Sequence, residues 1–136
     1  MSKRDHMFSW PVRVYFQDTD AGGVVYHASY VNFMERARTE WLRTHGYSNA
    51  ALMKTFDVMF VVRSIKLDYL KPALLDDMLD ATTQIKEMGR SRLTLSQTVL
   101  RDGELLSTGE VHLVCVVASS FKPVAIPEVL RAKLEK

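Results

Sequence analysis

The sequence predicts an α+β protein in which one long amphipathic helix packs against a five-stranded antiparallel sheet. Three observations carry that reading. Tyr30, Phe33, Met34, Ala37, Trp41 and Leu42 recur at three- and four-residue spacing, which makes one apolar stripe along a helix. Four later segments, 58–70, 78–88, 92–102 and 104–118, show the period-two pattern of strands. Short turns join them, and strands joined by short turns pair antiparallel.

The first strand is read at residues 10–17. Trp10, Val12, Val14 and Phe16 alternate there with Pro11, Arg13, Tyr15 and Gln17, so the first set is expected to face the core. The long helix, about sixteen residues, is expected to be capped by Ser29 and closed by Gly46. Glu35, Arg36, Arg38 and Glu40 should point away from the apolar stripe. Residues 47–56 suit a short second helix capped by Ser48. Pro72 with Asp76 and Asp77, then Gly89, then Asp102-Gly103 separate the strands, and the last is a strong hairpin signal. Residues 127–136 suit a short closing helix. One helix covers only part of a five-stranded sheet, so a homodimer that buries the remaining edge is expected.

At 136 residues the chain is read as a single domain, 1–136. The net charge is +2, and nine Lys/Arg fall on each side of residue 68. No basic arm is offered to nucleic acid, whose binding needs a concentrated phosphate-neutralising patch. The one cysteine, Cys115, rules out an intrachain disulfide and any multi-cysteine metal site. Its apolar surroundings, VHLVCVVA, suit a buried inert thiol. The apolar runs are too short for a membrane span, and MSKRDHMFSW has no signal-peptide core, so the cytoplasm is the expected compartment.

The chemistry concentrates in FQDTDAGGVVYH, residues 16–27. As a calcium loop it fails: glycine would stand at the fifth position and Ser29 where a bidentate glutamate is needed. No Gly-Lys-Ser/Thr follows Gly22-Gly23, so it is not a phosphate loop, and His27 has no partner at zinc-ligand spacing. Asp-x-Asp-x-Gly-Gly is also ordinary turn chemistry. The apolar VVYH that follows suggests a buried loop with a desolvated carboxylate beside a helix N-terminus. There the amides stabilise an oxyanion while the carboxylate attacks or activates water.

This string, within WPVRVYFQDTDAGGVVYHASYVNFMERARTEWLR, resembles the 4-hydroxybenzoyl-CoA thioesterase branch of the hotdog superfamily. Within it the likeness is to the YbgC type, acyl-CoA thioesterases encoded with the bacterial Tol-Pal system. It runs from Trp10 to Pro127 and returns in FVVRSIKLDY, LDDML, VCVV and KPVAIP. The resemblance implies a hotdog fold, a five-stranded antiparallel sheet wrapped around one long helix. It implies a homodimer with two active sites at the interface, commonly paired into a homotetramer. It assigns catalysis to Asp20, turn-holding to Asp18, and the oxyanion N–H to His27, whose imidazole helps proton transfer or orients Asp20 or water. Gly23 and Tyr26 are assigned to substrate binding, and Arg90, Ser91 and Arg92 to the CoA phosphates, against a solvated basic turn as the plain alternative. Arg63 and Lys66 are weaker candidates for the same contacts. Phe16 and Gln17 stand where relatives often carry Tyr and Glu, so any help that a tyrosine hydroxyl at that position gives in relatives is absent here.

The implied activity is hydrolysis of acyl-CoA with no cofactor and no metal, CoA being part of the substrate. Whether Asp20 attacks the carbonyl or acts as general base stays open. A hydroxyacyl dehydratase is disfavoured because VVYHASYVNFMERA lacks that loop pattern. The companion reading is a binding or scaffold role toward acyl carrier protein or phospholipid-synthesis enzymes, peripheral at the inner membrane. The remaining histidines are read structurally: His45 as a partly cationic group at the helix C-terminus, His112 as a strand residue with no carboxylate motif near it.

Overall fold

A computed structural model describes residues 7–135. The first six residues and Lys136, the end of the expected closing helix, lie outside them. The elements are β1 (Phe8–Arg13), α1 (His27–Thr44), α2 (Asn49–Phe56), β2 (Val58–Tyr69), β3 (Met78–Met88), β4 (Arg92–Arg101), β5 (Glu104–Val117) and α3 (Glu128–Leu134). The strands form one antiparallel sheet in the order β1-β3-β4-β5-β2, wrapped around α1. Asp102 and Gly103 both adopt positive φ, 50° and 81°, the geometry that matches a two-residue turn to the twist of β4 and β5.

The apolar stripe of α1 is buried as its spacing requires: Tyr30, Phe33, Met34, Ala37, Trp41 and Leu42 all lie against the sheet. Gly109 of β5 makes the close approach possible. A Cβ there would come within 2.8 Å of both Met34 Sδ and Leu67 Cδ2. The core has two parts. Around the N-terminal half of α1 pack Val12, Val14, Val25, Leu79, Val99 and Leu106. Around its C-terminal half pack Leu52, Leu93, Leu95, Leu113, Cys115 and Leu130, so α2 and α3 close that end. Burial pushes the Cys115 thiol up to about 11, which leaves it protonated and inert at neutral pH.

Several boundaries differ from the sequence reading. β1 ends at Arg13, and a 3₁₀ turn over Phe16–Asp18 follows. Val12 and Val14 are buried, but Trp10 is exposed and Phe16 is 80% exposed. The turn rotates the chain out of strand alternation before Phe16. Helix α1 starts two residues before Ser29, with Tyr26 at the N-cap. Ser29 is therefore inside the first turn, where its hydroxyl donates to the Asp18 carbonyl at 3.2 Å. Ser48 does cap α2, accepting the Ala51 N–H at 3.0 Å. His45 packs edge-on to Trp41, and burial lowers its pKa below the ordinary imidazole value, so it is neutral rather than cationic. His112 Nε2 lies 3.1 Å from Glu110 Oε1 on the same strand.

The sheet edges are unlike. β1 is six residues long and carries Pro11; β2 is twelve residues long. Val62 is 46% and Tyr69 43% exposed along β2. No helix among the described residues is long and apolar enough to cross a membrane.

Candidate active site

The loop before α1 is built by its two aspartates in different ways. Asp18, only 5% exposed, accepts the Tyr15 N–H on Oδ2 at 2.8 Å. Its carbonyl accepts the Tyr26 N–H at 2.8 Å, which ties the strand exit to the helix entrance. Asp20 is exposed, contrary to the desolvated carboxylate the apolar flank suggested. Its Oδ1 accepts the Gly22 N–H at 2.9 Å, and its carbonyl accepts the Gly23 N–H at 3.0 Å. The loop is then stitched to the β2–β3 connection: Val25 N–H donates to Ala73 O at 2.9 Å, and Leu75 N–H to Gly23 O at 3.2 Å. Buried Tyr30 accepts the Ala73 N–H on its hydroxyl at 3.0 Å. Burial raises its pKa, so it is a structural phenol.

The loop leads into α1 at Tyr26 and His27 and is tied there through the Asp18 carbonyl, while no preceding helical carbonyl satisfies the first N–H groups of the helix. His27 is the first helical residue. Its imidazole stacks on Tyr69 with ring centroids 4.5 Å apart, and Tyr69 Oη donates to the His27 carbonyl at 3.1 Å. His27, Tyr30, Tyr69, Leu70 and Lys71 line a cavity of about 210 Å³. Tyr26 is exposed at the N-cap. A carboxylate in that loop, with free amides and a fixed imidazole at the helix start, suits attack on a carbonyl and stabilisation of the resulting oxyanion.

Asp20 and Gly23 meet in one turn, Tyr26 and His27 open α1 a few residues later, and Arg90, Ser91 and Arg92 lie elsewhere. The β3–β4 hairpin that carries the latter lies at the opposite end of the sheet, about 33 Å away along the 11 residues of β3. That hairpin is braced by its backbone. Arg131 of α3 donates to the Gly89 and Arg90 carbonyls at 2.6 and 3.1 Å, and Cys115 N–H donates to Ser91 O at 2.7 Å. The Arg90 and Arg92 side chains stay exposed. Arg92 shares an outer-face cavity with Arg63 and His112.

Three residues escaped the sequence reading. Tyr69 follows from nothing local. Arg38 was expected on the solvated face and instead is half-buried, donating to Gln97 Oε1 at 3.0 Å. Its signal was its position four residues after Met34, at the rim of the apolar stripe. Gln97, wholly buried, had no signal beyond strand alternation. Arg38 lines the larger cavity, about 280 Å³, between the C-terminal half of α1 and the sheet.

Comparison with known proteins bears on this arrangement. Residues 14–134 match the thioesterase-like superfamily. The acyl-CoA thioester hydrolase YbgC of Escherichia coli O6:H1 is 50% identical over 131 residues, which cover 96% of this chain and 97% of that protein. The acyl-CoA thioesterase YbgC of Haemophilus influenzae is 44% identical over 128 residues, 94% of each chain. Among solved structures, a probable thioesterase from Bartonella henselae superposes with a TM-score of 0.86 at 34% identity, covering 90% of this chain and all of that one. With its helix-wrapping sheet and its loop of two aspartates, the chain has the hotdog fold and belongs to the thioesterase-like superfamily.

Proposed function

We propose that the protein hydrolyses acyl-CoA thioesters with Asp20 as the catalytic carboxylate. What supports this is the exposed carboxylate of Asp20 in the loop that leads into α1 at His27, in a chain similar along almost its whole length to acyl-CoA thioester hydrolases. Asp20 either attacks the thioester carbonyl to give a mixed anhydride or takes a proton from an attacking water. In both, the His27 N–H receives the developing oxyanion and CoA leaves as the thiolate. Gly23 and Tyr26 bound the approach to that carbonyl. No cofactor enters beyond the CoA of the substrate, and the cytoplasm, where the Cys115 thiol stays reduced, suits the reaction.

The working unit in this reading is a homodimer joined along β2. A twelve-residue edge with Val62 and Tyr69 exposed invites strand pairing, whereas β1 is blunted by its length and Pro11. Antiparallel pairing of β2 with its copy sets the Phe60–Val62 end of one protomer beside the Tyr69 end of the other. The 280 Å³ cavity and the Arg90–Arg92 hairpin of one subunit then serve the Asp20 of its partner. This supplies the cover that Asp20 lacks in the protomer.

The test is CoA release by wild type and Asp20→Asn against esters from propionyl- to palmitoyl-CoA, with benzoyl-CoA. A chain-length optimum with kcat lowered at least ~100-fold in the variant is expected, the scale of a lost general base or nucleophile. A variant within a few-fold of wild type would overturn the role of Asp20. Negligible rates in both proteins would favour an acyl-carrier-protein substrate or a binding role.

A further inference from the structure

The larger cavity holds a cation, Arg38, that forms no ion pair among the described residues. Arg38 donates from Nη1 to Gln97 Oε1 at 3.0 Å. Gln97 is wholly buried, and its Nε2 is committed to Met34 O at 2.9 Å, Thr83 Oγ1 at 2.8 Å and Thr82 O at 3.3 Å. An amide whose nitrogen faces three acceptors turns its oxygen the other way, so the guanidinium is held in one place. No carboxylate among the described residues forms an ion pair with it. Glu35, one turn earlier, acts on it only through space, and desolvation outweighs that effect and lowers the Arg38 pKa. The cavity wall is mixed: Leu93, Leu95 and Leu113 are apolar, and Glu35, Thr39 and Asn49 line it beside Arg38.

This combination discriminates between occupants. A guanidinium offers five N–H donors in a planar fork, and Gln97 uses one. An alkyl chain that filled the cavity would strip water from the remaining donors and replace it with nothing. A carboxylate at the far end of the chain would accept two parallel hydrogen bonds from the same fork, and the apolar part of the wall would strengthen both. The methylenes between that carboxylate and the thioester would lie against the apolar side chains.

We propose that Arg38 is a specificity-determining residue that selects acyl groups ending in a carboxylate, the mono-CoA esters of short dicarboxylic acids. The assignment rests on the thioesterase reading above. It adds a substrate class to it.

The experiment compares kcat/KM for glutaryl-CoA and pentanoyl-CoA, equal in carbon count, with wild type, Arg38→Met and Arg38→Lys. Wild type should prefer glutaryl-CoA by roughly ten- to a hundredfold, the range of a charge-assisted hydrogen bond. Arg38→Met should reverse that preference, and Arg38→Lys should keep the charge and restore part of it. Each ratio comes from one preparation, so partial unfolding of a variant cancels. Equal or better turnover of pentanoyl-CoA by wild type, or a ratio unmoved by Arg38→Met, would overturn the inference and leave the thioesterase reading standing. Turnover of neither ester by folded wild type would overturn both.

Discussion

The two ends of α1 solve different problems. At the N-terminal end, the loop is held by backbone hydrogen bonds and by one buried carboxylate, Asp18, while Asp20 is exposed. At the C-terminal end, α2 and α3 thicken the core, and a cavity with one anchored cation opens beneath the helix. Eleven residues, about 16 Å of helix, separate His27 from Arg38. One end therefore carries the exposed Asp20 carboxylate and the smaller cavity beside His27, and the other the larger cavity with Arg38. The long β2 edge is the element by which two copies could join the unlike ends.

Mixing variants defective at opposite ends would break or sharpen that comparison most directly. Asp20→Asn removes the carboxylate, and Thr39→Trp fills the cavity that Thr39 lines. Each alone should be nearly inactive. After refolding together, half the dimers would be mixed and each would hold one intact site, so about a quarter of wild-type activity should return. No recovery would show that each subunit works with its own cavity.

A second contrast separates the two aspartates. Asp18→Ala removes the acceptor of the part-buried Tyr15 N–H, which should destabilise the protein by about 1 kcal/mol in a denaturant titration. Asp20→Asn should leave the denaturation midpoint close to wild type and remove activity. Should Asp18→Ala lose as much kcat as Asp20→Asn without loss of stability, the division of labour is wrong.

Smaller effects belong to the far hairpin. Arg90→Gln with Arg92→Gln should raise KM several-fold, and less at high salt, with little change in kcat, because exposed phosphate contacts act as screened charges. An unchanged KM would return that segment to a solvated turn.

The smallest effect concerns the β2–β3 connection that backs the loop. Burial alone would raise the Asp77 pKa, but hydrogen bonds from Arg101 (2.7 Å) and the Leu74 N–H (2.9 Å) outweigh it and hold the carboxyl below the ordinary aspartate value. A depressed pKa contributes stability above the unfolded value and loses it as pH falls through the folded one. Melting temperatures of wild type and Arg101→Gln should therefore differ at pH 7 and converge toward pH 3.

How much of this was legible varies from element to element. The strands from Met78 onward could be read to within a residue because alternation and the Asp102-Gly103 turn agree on one register. The stripe from Tyr30 to Leu42 was equally plain. β1 was misjudged at Phe16, since a 3₁₀ turn leaves no mark on alternation that a strand would not also leave. The string FQDTDAGGVVYH marked the candidate site, but its two aspartates look alike as letters. Which one is buried depends on Tyr15, Tyr26 and Ala73 closing around the loop.

Local order was determined by the sequence itself: helix, strands, turns and a loop rich in carboxylates follow from spacing and backbone preference within a few residues. The tertiary structure decided what spacing does not encode. It set Arg38 under the helix against Gln97, stacked Tyr69 on His27, and put the Arg90–Arg92 hairpin at the end of the sheet remote from Asp20. The physical reason is that these are contacts between segments distant in the chain. Burial, desolvation and hydrogen-bond partners there are properties of the packed surfaces, and no window of neighbouring residues contains them.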